Sequence, residues 1–324
     1  MRQGMERGME QTGKEKNFVS CVVYLHNDSD AVKEFLHLIC GVMQDHFEKY
    51  EIVCVNDGCT DDTVEQIQAF VREQDNIGAV SLINLSFYQG VETAMSAGSD
   101  LAVGDFLFEF DRCSADFSPE LIMQVYRRAL EGYDVVAAAP KHGVPWTSKV
   151  FYALYNWSSN FRYHIRQERF HIVSRRAVNR VNQMNIYVPY RKVLYMNCGL
   201  KTDTLVYDNR ETVRRYNNRE ERGSRSGLAV DTLVIFTDVL EKFSMLVSAL
   251  LLGFMFVMFG WIIYSIFSTV RPVEGWLSIM ALMSFGFCML SVLLTLIFKY
   301  LSIILNISFK RQRYVAEGVE KLTK

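Results

Sequence analysis

Two long uncharged stretches constrain this chain more than any other feature. Phe243 to Val270 is 28 residues without a charge, and Gly275 to Phe298 is 24 more. About 20 apolar residues in a helix span the hydrocarbon core of a bilayer. Helices of a soluble domain rarely stay apolar on every face for that length, so both runs read as transmembrane helices. The link between them, Arg271 to Gly275, permits only a hairpin, which puts both flanks on one side. Lys310, Arg311 and Arg313 then assign that side to the cytoplasm. Residues 243–309 are therefore expected to hold two spans, and residues 310–324 a basic cytoplasmic tail. Before the first span, residues 228–242 mix apolar side chains with Asp231, Asp238 and Glu241. That pattern suits an amphipathic helix lying on the membrane surface, or an ordinary packed helix.

The first 17 residues are polar, without the apolar core of a signal peptide, and are expected to be disordered. A cytoplasmic soluble part follows from that reading. The net charge is −1, so charge singles out no partner, and nucleic acid is not expected. Seven cysteines occur, an odd number with no CxxC pair. They read as buried thiols in a reducing compartment rather than as a disulfide framework or a zinc site.

Residues 18–227 have a different rhythm. Apolar, β-rich runs at Phe18–Leu25, Glu51–Asn56, Ala79–Leu85, Asp105–Asp111 and Tyr133–Ala139 alternate with helical spacing at Ala31–Phe47, Val64–Glu73, Gly90–Val103 and Pro119–Glu131. Trp146–Phe161 reads as one more packed helix. Strands alternating with helices predict an α/β fold with a mostly parallel sheet. In such sheets ligands bind beyond the carboxyl ends of the strands. Three of those ends carry acids: Asp28 with Asp30, Asp57, and Asp111. With no GxGxxG or Walker loop, this set suits a nucleotide sugar better than a dinucleotide or ATP.

Specific motifs sharpen this. Val55-Asn56-Asp57-Gly58-Cys59-Thr60-Asp61-Asp62-Thr63, Asn84 to Gly90 with Ala94, Ala97 and Gly98, and Ala102-Val103-Gly104-Asp105 with Phe110-Asp111 stand in order. Gly132-Tyr133-Asp134-Val135-Val136, Phe170 to Ala177 (FHIVSRRA) and Arg219 to Arg225 (REERGSR) follow. This series, closed by the hairpin and basic tail, resembles family 2 glycosyltransferases of the polyprenyl-phosphate sugar transferase type, over residues 18–316. The group includes dolichyl-phosphate mannose synthase and the bactoprenol glucosyltransferases.

The resemblance implies a GT-A fold and an inverting transfer of one sugar from a UDP- or GDP-linked donor to a polyprenyl phosphate such as undecaprenyl phosphate, for cell-envelope glycans. It implies a multi-pass protein of the inner (cytoplasmic) membrane and leaves room for a homo-oligomer. Asn27, Asp28 and Asp57 would bind the donor's base or ribose. Asp111 would bind donor and a Mg2+ or Mn2+ ion. Arg219, Arg222, Ser224 and Arg225 would hold the diphosphate or the lipid phosphate, as Arg forks suit phosphate geometry.

The match breaks at three places. Where the family has D-x-D, this chain has Asp111-Arg112-Cys113. A hard divalent ion prefers oxygen ligands. Three alternatives follow: Asp111 works with another acid, Asp116 or Glu109; Arg112 supplies part of the metal's charge; or the chain is a non-catalytic scaffold. A transferase with a different lipid or glycan acceptor is a further option. The family's Asp before F-R-L aligns with Arg169, leaving Glu168 as the catalytic carboxylate beside Asp111. The family's P-x-x-N-E after the first strand is absent. His26, His142, His164 and His171 share no metal spacing and read as ordinary polar residues.

Overall fold

The computed structural model describes residues 13–74, 77–114, 116–141, 168–184, 191–208, 253, 257, 275–309 and 314–323. The chain divides into two compact units, one of Met1–Ala153, Phe161–Ser226 and Gln312–Lys324, the other of Leu154–Asn160 and Gly227–Arg311.

The first unit is built on an eight-stranded sheet. Its elements, in chain order, are β1 (Val19–Leu25), α1 (Val32–His46), β2 (Tyr50–Asn56), α2 (Thr63–Glu73), β3 (Ala79–Leu85), α3 (Val91–Leu101), β4 (Phe106–Phe110), α4 (Glu120–Leu130), β5 (Val135–Pro140), β6 (Phe170–Ser174), α5 (Arg175–Met184), α6 (Arg191–Asn197), β7 (Thr202–Tyr207) and β8 (Ala316–Lys321). The strand order is β7-β5-β6-β4-β1-β2-β3-β8. All pairings are parallel except those of β6, with β4 and β5, and of β8 with β3. All seven residues of β1 are buried, as a central strand covered on both faces requires.

Two cores flank the sheet. On one face Phe108 and Phe110 pack with Phe35 of α1, Phe70 of α2 and Tyr126 of α4. On the other, Val22 and Val55 pack with Ala94 of α3, Val178 of α5 and Tyr195 of α6. Strands and helices through β5 lie within a few residues of the sequence expectations. The expected helix at Trp146–Phe161 and the segment 228–242 fall outside the described residues.

At Glu15 and at residues 316–321 the structure shows order that the sequence reading did not assign. The start, read as disordered to residue 17, is engaged by Glu15: its N–H donates to His46 O at 2.7 Å, and its carbonyl accepts Glu48 N–H at 3.0 Å. The tail, read as simply basic, contributes β8, which covers the open edge of β3. An unpaired edge is a row of unsatisfied N–H and C=O groups, so this cover has a physical reason. Gln89 extends the pairing: its side-chain amide donates to Val315 O at 2.6 Å and accepts Val315 N–H at 3.0 Å.

In the second unit, α7 (Trp276–Phe309) is one continuous helix of 34 residues. Its sequence carries a single charge, Lys299. Ile279, Leu290, Ile297 and Ile304 on it are each more than half exposed. Counted over the described residues alone, no helix is long and apolar enough to cross a membrane. The backbone itself runs unbroken for about 50 Å at 1.5 Å per residue. The first expected span, residues 243–270, lies outside the described residues except at 253 and 257.

Gly98 sets how closely α3 lies on the sheet. A Cβ there would stand 2.3 Å from Val22 Cγ1 and 2.9 Å from Val55 Cγ2. Gly98→Ala should destabilise the protein by about 1–3 kcal/mol through overpacking. In thermal unfolding, Gly98→Ala with Val22→Ala should cost less than the two single changes summed. Strict additivity would show that this contact is not the source of the cost.

Candidate active site

Parallel β1, β2 and β4 end on the same rim of the sheet, which brings His26–Asp28, Asp57 and Asp111 to one edge. Antiparallel β6 runs the other way, so its start is at that rim too. Because Phe110 lies opposite Phe170, Glu168 and Arg169 fall beside Asp111 and Arg112.

Asp57 is fully buried. Its Oδ1 accepts Gln89 N–H at 2.6 Å, and its Oδ2 accepts Gly90 N–H at 2.8 Å and Tyr24 O–H at 3.1 Å. The acid expected to touch the donor thus anchors the loop between β3 and α3. Burial, despite these donors, raises its pKa. Asn27 takes a left-handed φ of 56°, which Asn tolerates better than most residues, and its Oδ1 accepts Thr60 N–H at 2.8 Å. Asp28 is buried, and its Oδ2 accepts His26 N–H at 3.0 Å. These contacts join the turns after β1 and β2 into one framework.

Alternation along β4 places Glu109 and Asp111 on the same face, toward α3 and α6. Glu109 has no exposure. His171 is its register partner on β6, with Nε2 at 2.6 Å from Glu109 Oε2. Charge carries this contact, since neither imidazole nitrogen has an aligned hydrogen-bond partner. Arg191 Nη2 reaches the same oxygen at 2.6 Å, while Ser99 Oγ lies 2.6 Å from Oε1 and Tyr195 O–H donates to Oε1 at 3.3 Å. Arg191 N–H also donates to Glu92 Oε2 at 2.9 Å, which ties the start of α6 to the first turn of α3. The next residue, Lys192, places Nζ 2.5 Å from Asp111 Oδ2 and 3.7 Å from Glu168 Oε2. The two acids expected to be catalytic therefore do meet, through a lysine.

The charge states follow from the neighbours. Burial would raise the Glu109 pKa, but Arg191 and His171 outweigh it and hold the carboxyl below the ordinary range. Burial likewise opposes ionisation of Asp111, and Lys192 reverses the direction. At Glu92 burial wins, and the carboxyl is pushed up to about 7. Burial would lower His171, but the Glu109 charge raises it to about 9, so the imidazole is protonated at neutral pH. His171, read from the sequence as an ordinary polar residue, is a buried cation. It occupies the arginine position of the family's F-R-L motif, which is the signal that identifies it. Glu109 had a signal too: one acid within the strand FLFEF needs a buried partner. Nothing in the local sequence marks Arg191 or Lys192.

The expected metal ligands do not converge. Asp111 faces Lys192. Asp116 accepts Arg169 Nε–H at 2.7 Å and Tyr207 O–H at 3.3 Å. Cys113 is buried, its Sγ 3.8 Å from Tyr24 O, and burial raises its thiol pKa further from ionisation. Among the described residues, no group of three or more His, Cys, Asp or Glu side chains is arranged to hold a metal ion. The donor set as placed does not fit a Mg2+ or Mn2+ ion, which needs several free oxygens. Arg219, Arg222, Ser224 and Arg225 lie outside the described residues.

This sheet, with antiparallel β6 returning to the acidic rim, is the architecture of GT-A glycosyltransferases. The mannosyltransferase PcManGT from Pyrobaculum calidifontis, solved in complex with GDP-Man and Mn2+, shares it with a TM-score of 0.52, at 12% identity and over 92% of this chain and 89% of that one. Residues 20–185 match the family model Glycosyl transferase family 2, and the chain belongs to that family. An uncharacterized glycosyltransferase of Synechocystis is 29% identical over 59% of this chain and 60% of its own length. The uncharacterized glycosyltransferase YkcC of Bacillus subtilis is 24% identical over 93% of this chain and 94% of its own. An undecaprenyl-phosphate 4-deoxy-4-formamido-L-arabinose transferase of Shewanella sediminis is 29% identical over 39% of this chain and 37% of its own length. The chain thus spans less than two thirds of the first and third of these relatives.

The buried cations make stability depend on pH. His171 has an ordinary pKa of 6.5 and a folded one of about 9. Its stabilisation is whole below pH 6.5 and is lost as the pH rises through 9, on the order of 3 kcal/mol in all. Glu92, raised from 4.5 to about 7, gives the same sign between those values. Denaturant unfolding of the full chain should therefore show stability falling from pH 6.5 to 9, with a shallower fall in His171→Gln. An identical slope in that variant would remove His171 as the cause.

Proposed function

We propose that this family 2 glycosyltransferase is membrane-bound and moves one sugar from a UDP- or GDP-linked donor to a polyprenyl phosphate, with inversion at the anomeric carbon. The observation that carries the lipid acceptor is α7: 34 residues with one charge, in the same chain as the transferase domain. A helix so apolar is costly in water and ordinary in a bilayer. The donor class is supported by PcManGT, solved with GDP-Man, and the acceptor class by relatives named for undecaprenyl phosphate. The inner membrane, with the sheet domain in the cytoplasm, is the setting in which such an acceptor and a soluble nucleotide sugar meet.

In this reaction an oxygen of the lipid phosphate forms a bond to the anomeric carbon. The bond from that carbon to the donor diphosphate breaks, and its electron pair leaves with the nucleoside diphosphate. The acceptor is already an anion near neutral pH and needs little help from a base. The leaving group gathers negative charge, so fixed cations lower the barrier most. The turn at Asn27 and Asp28 and the loop anchored by Asp57 form the walls for the nucleoside. Asp111 and Glu168 orient Lys192. Arg219, Arg222, Ser224 and Arg225 hold the lipid phosphate or the diphosphate.

The test is transfer in isolated membranes supplied with undecaprenyl phosphate and a panel of labelled UDP- and GDP-sugars. One donor should give labelled lipid, and Asp111→Asn should lower that rate by about a hundredfold or more, the scale of losing a preorganised charge contact. No labelled lipid with any donor, from folded protein, would overturn the reading.

A further inference from the structure

We infer that Lys192 is the resident cation of the Asp111 seat, and that the donor diphosphate binds without a divalent metal. This rests on the nucleotide-sugar reading above and goes further, by naming what neutralises the diphosphate.

Four observations carry it. First, the seat is taken: Lys192 Nζ lies 2.5 Å from Asp111 Oδ2, with Glu168 Oε2 on its other side at 3.7 Å. A divalent ion would need that oxygen at about 2.0–2.6 Å and would crowd the ammonium. Second, the ammonium is built in. The Lys192 side chain is 7% exposed, and its backbone follows Arg191, which is pinned to Glu109 and Glu92. Third, the second metal ligand is gone. Cys113 replaces it, buried against the Tyr24 carbonyl, and sulfur is a poor ligand for a hard ion. Fourth, the nearby acids are spent: Asp116 on Arg169 and Tyr207, and Glu109 on Arg191 and His171.

The charges balance in a way that explains the altered motif. A D-x-D pair with a divalent ion sums to zero. Here one carboxylate has become Cys113, and Asp111 with Lys192 sums to zero from the chain's own charges. The Asp111 side chain keeps 16% exposure, so the seat is not sealed. A diphosphate arriving there meets a fixed ammonium instead of an ion that must be recruited with it. Preorganised charge of this kind needs no reorganisation during the reaction.

The experiment measures UDP and GDP binding to the purified full chain by calorimetry, in chelator and in Mn2+, with protein-bound Mn2+ followed by electron paramagnetic resonance. The wild-type protein should bind one nucleotide with the same Kd, within about twofold, in both conditions, and should hold no Mn2+ when nucleotide is present. Lys192→Ala should weaken binding in chelator by about tenfold or more, and the double variant Lys192→Ala/Cys113→Asp should gain a nucleotide-dependent Mn2+ signal. Wild-type binding that chelator abolishes and Mn2+ restores would overturn the inference while sparing the nucleotide-sugar reading. Failure to bind either nucleotide in any condition would overturn both. The wild-type comparison decides the matter even where a variant fails to fold.

Discussion

A carboxylate buried in the middle of a sheet governs much of this molecule. Glu109 has no exposure and stands within an otherwise apolar strand. An ionised carboxylate cannot remain there alone, and removing one partner of such a buried pair typically costs about 3–5 kcal/mol. The protein answers with His171 across the β4–β6 register and Arg191 from α6, both on one oxygen, and with Ser99 and Tyr195 on the other. These partners come from α3, β6 and α6, so satisfying one charge fixes how three elements pack on β4. Lys192 reaches Asp111 because its neighbour Arg191 is already committed to Glu109. The site's cation is thus positioned by an ion network beneath it.

A second chain of contacts runs along the rim. The Asp57 carboxylate holds the backbone of Gln89 and Gly90, and the Gln89 side chain holds both backbone groups of Val315. The acid after β2 is therefore connected through one glutamine to the segment that leads into the last strand. β8 then pairs with β3, and Asn84 donates to Glu320 at 3.0 Å. Residues more than 200 positions apart in sequence become neighbours across two hydrogen bonds. The tail completes the sheet and braces the loop that frames the proposed donor site.

These two systems give the family's fold a changed electrostatic character. Arg169 replaces an acid of the family pattern and is neutralised by Asp116. His171 replaces an arginine and remains a cation because Glu109 keeps it protonated. Cys113 replaces an acid and turns inward. Each change is matched by a partner in space, so the departures form one coherent rearrangement of charge.

Much of this was legible in the residues themselves. The alternation of buried strands and amphipathic helices through Ala139 requires a mostly parallel sheet, because period and apolarity are local properties of the chain. The same locality ties Asp28, Asp57 and Asp111 to strand ends, and the apolar character of α7 to a long helix. The role of these acids was not legible, since hydrogen-bond partners are not local. Asp57 turned out to face backbone N–H groups 32 and 33 residues away. Glu15, read as part of a disordered start, and residues 316–321, read as a basic tail, are polar stretches whose order comes from distant backbone, the end of α1 and the turn after it for Glu15 and the open edge of β3 for residues 316–321. The antiparallel entry of β6 and the seating of Lys192 on Asp111 are decided by tertiary structure alone. They are set by which charges must find partners when water is excluded, and a sequence read in order does not contain that pairing.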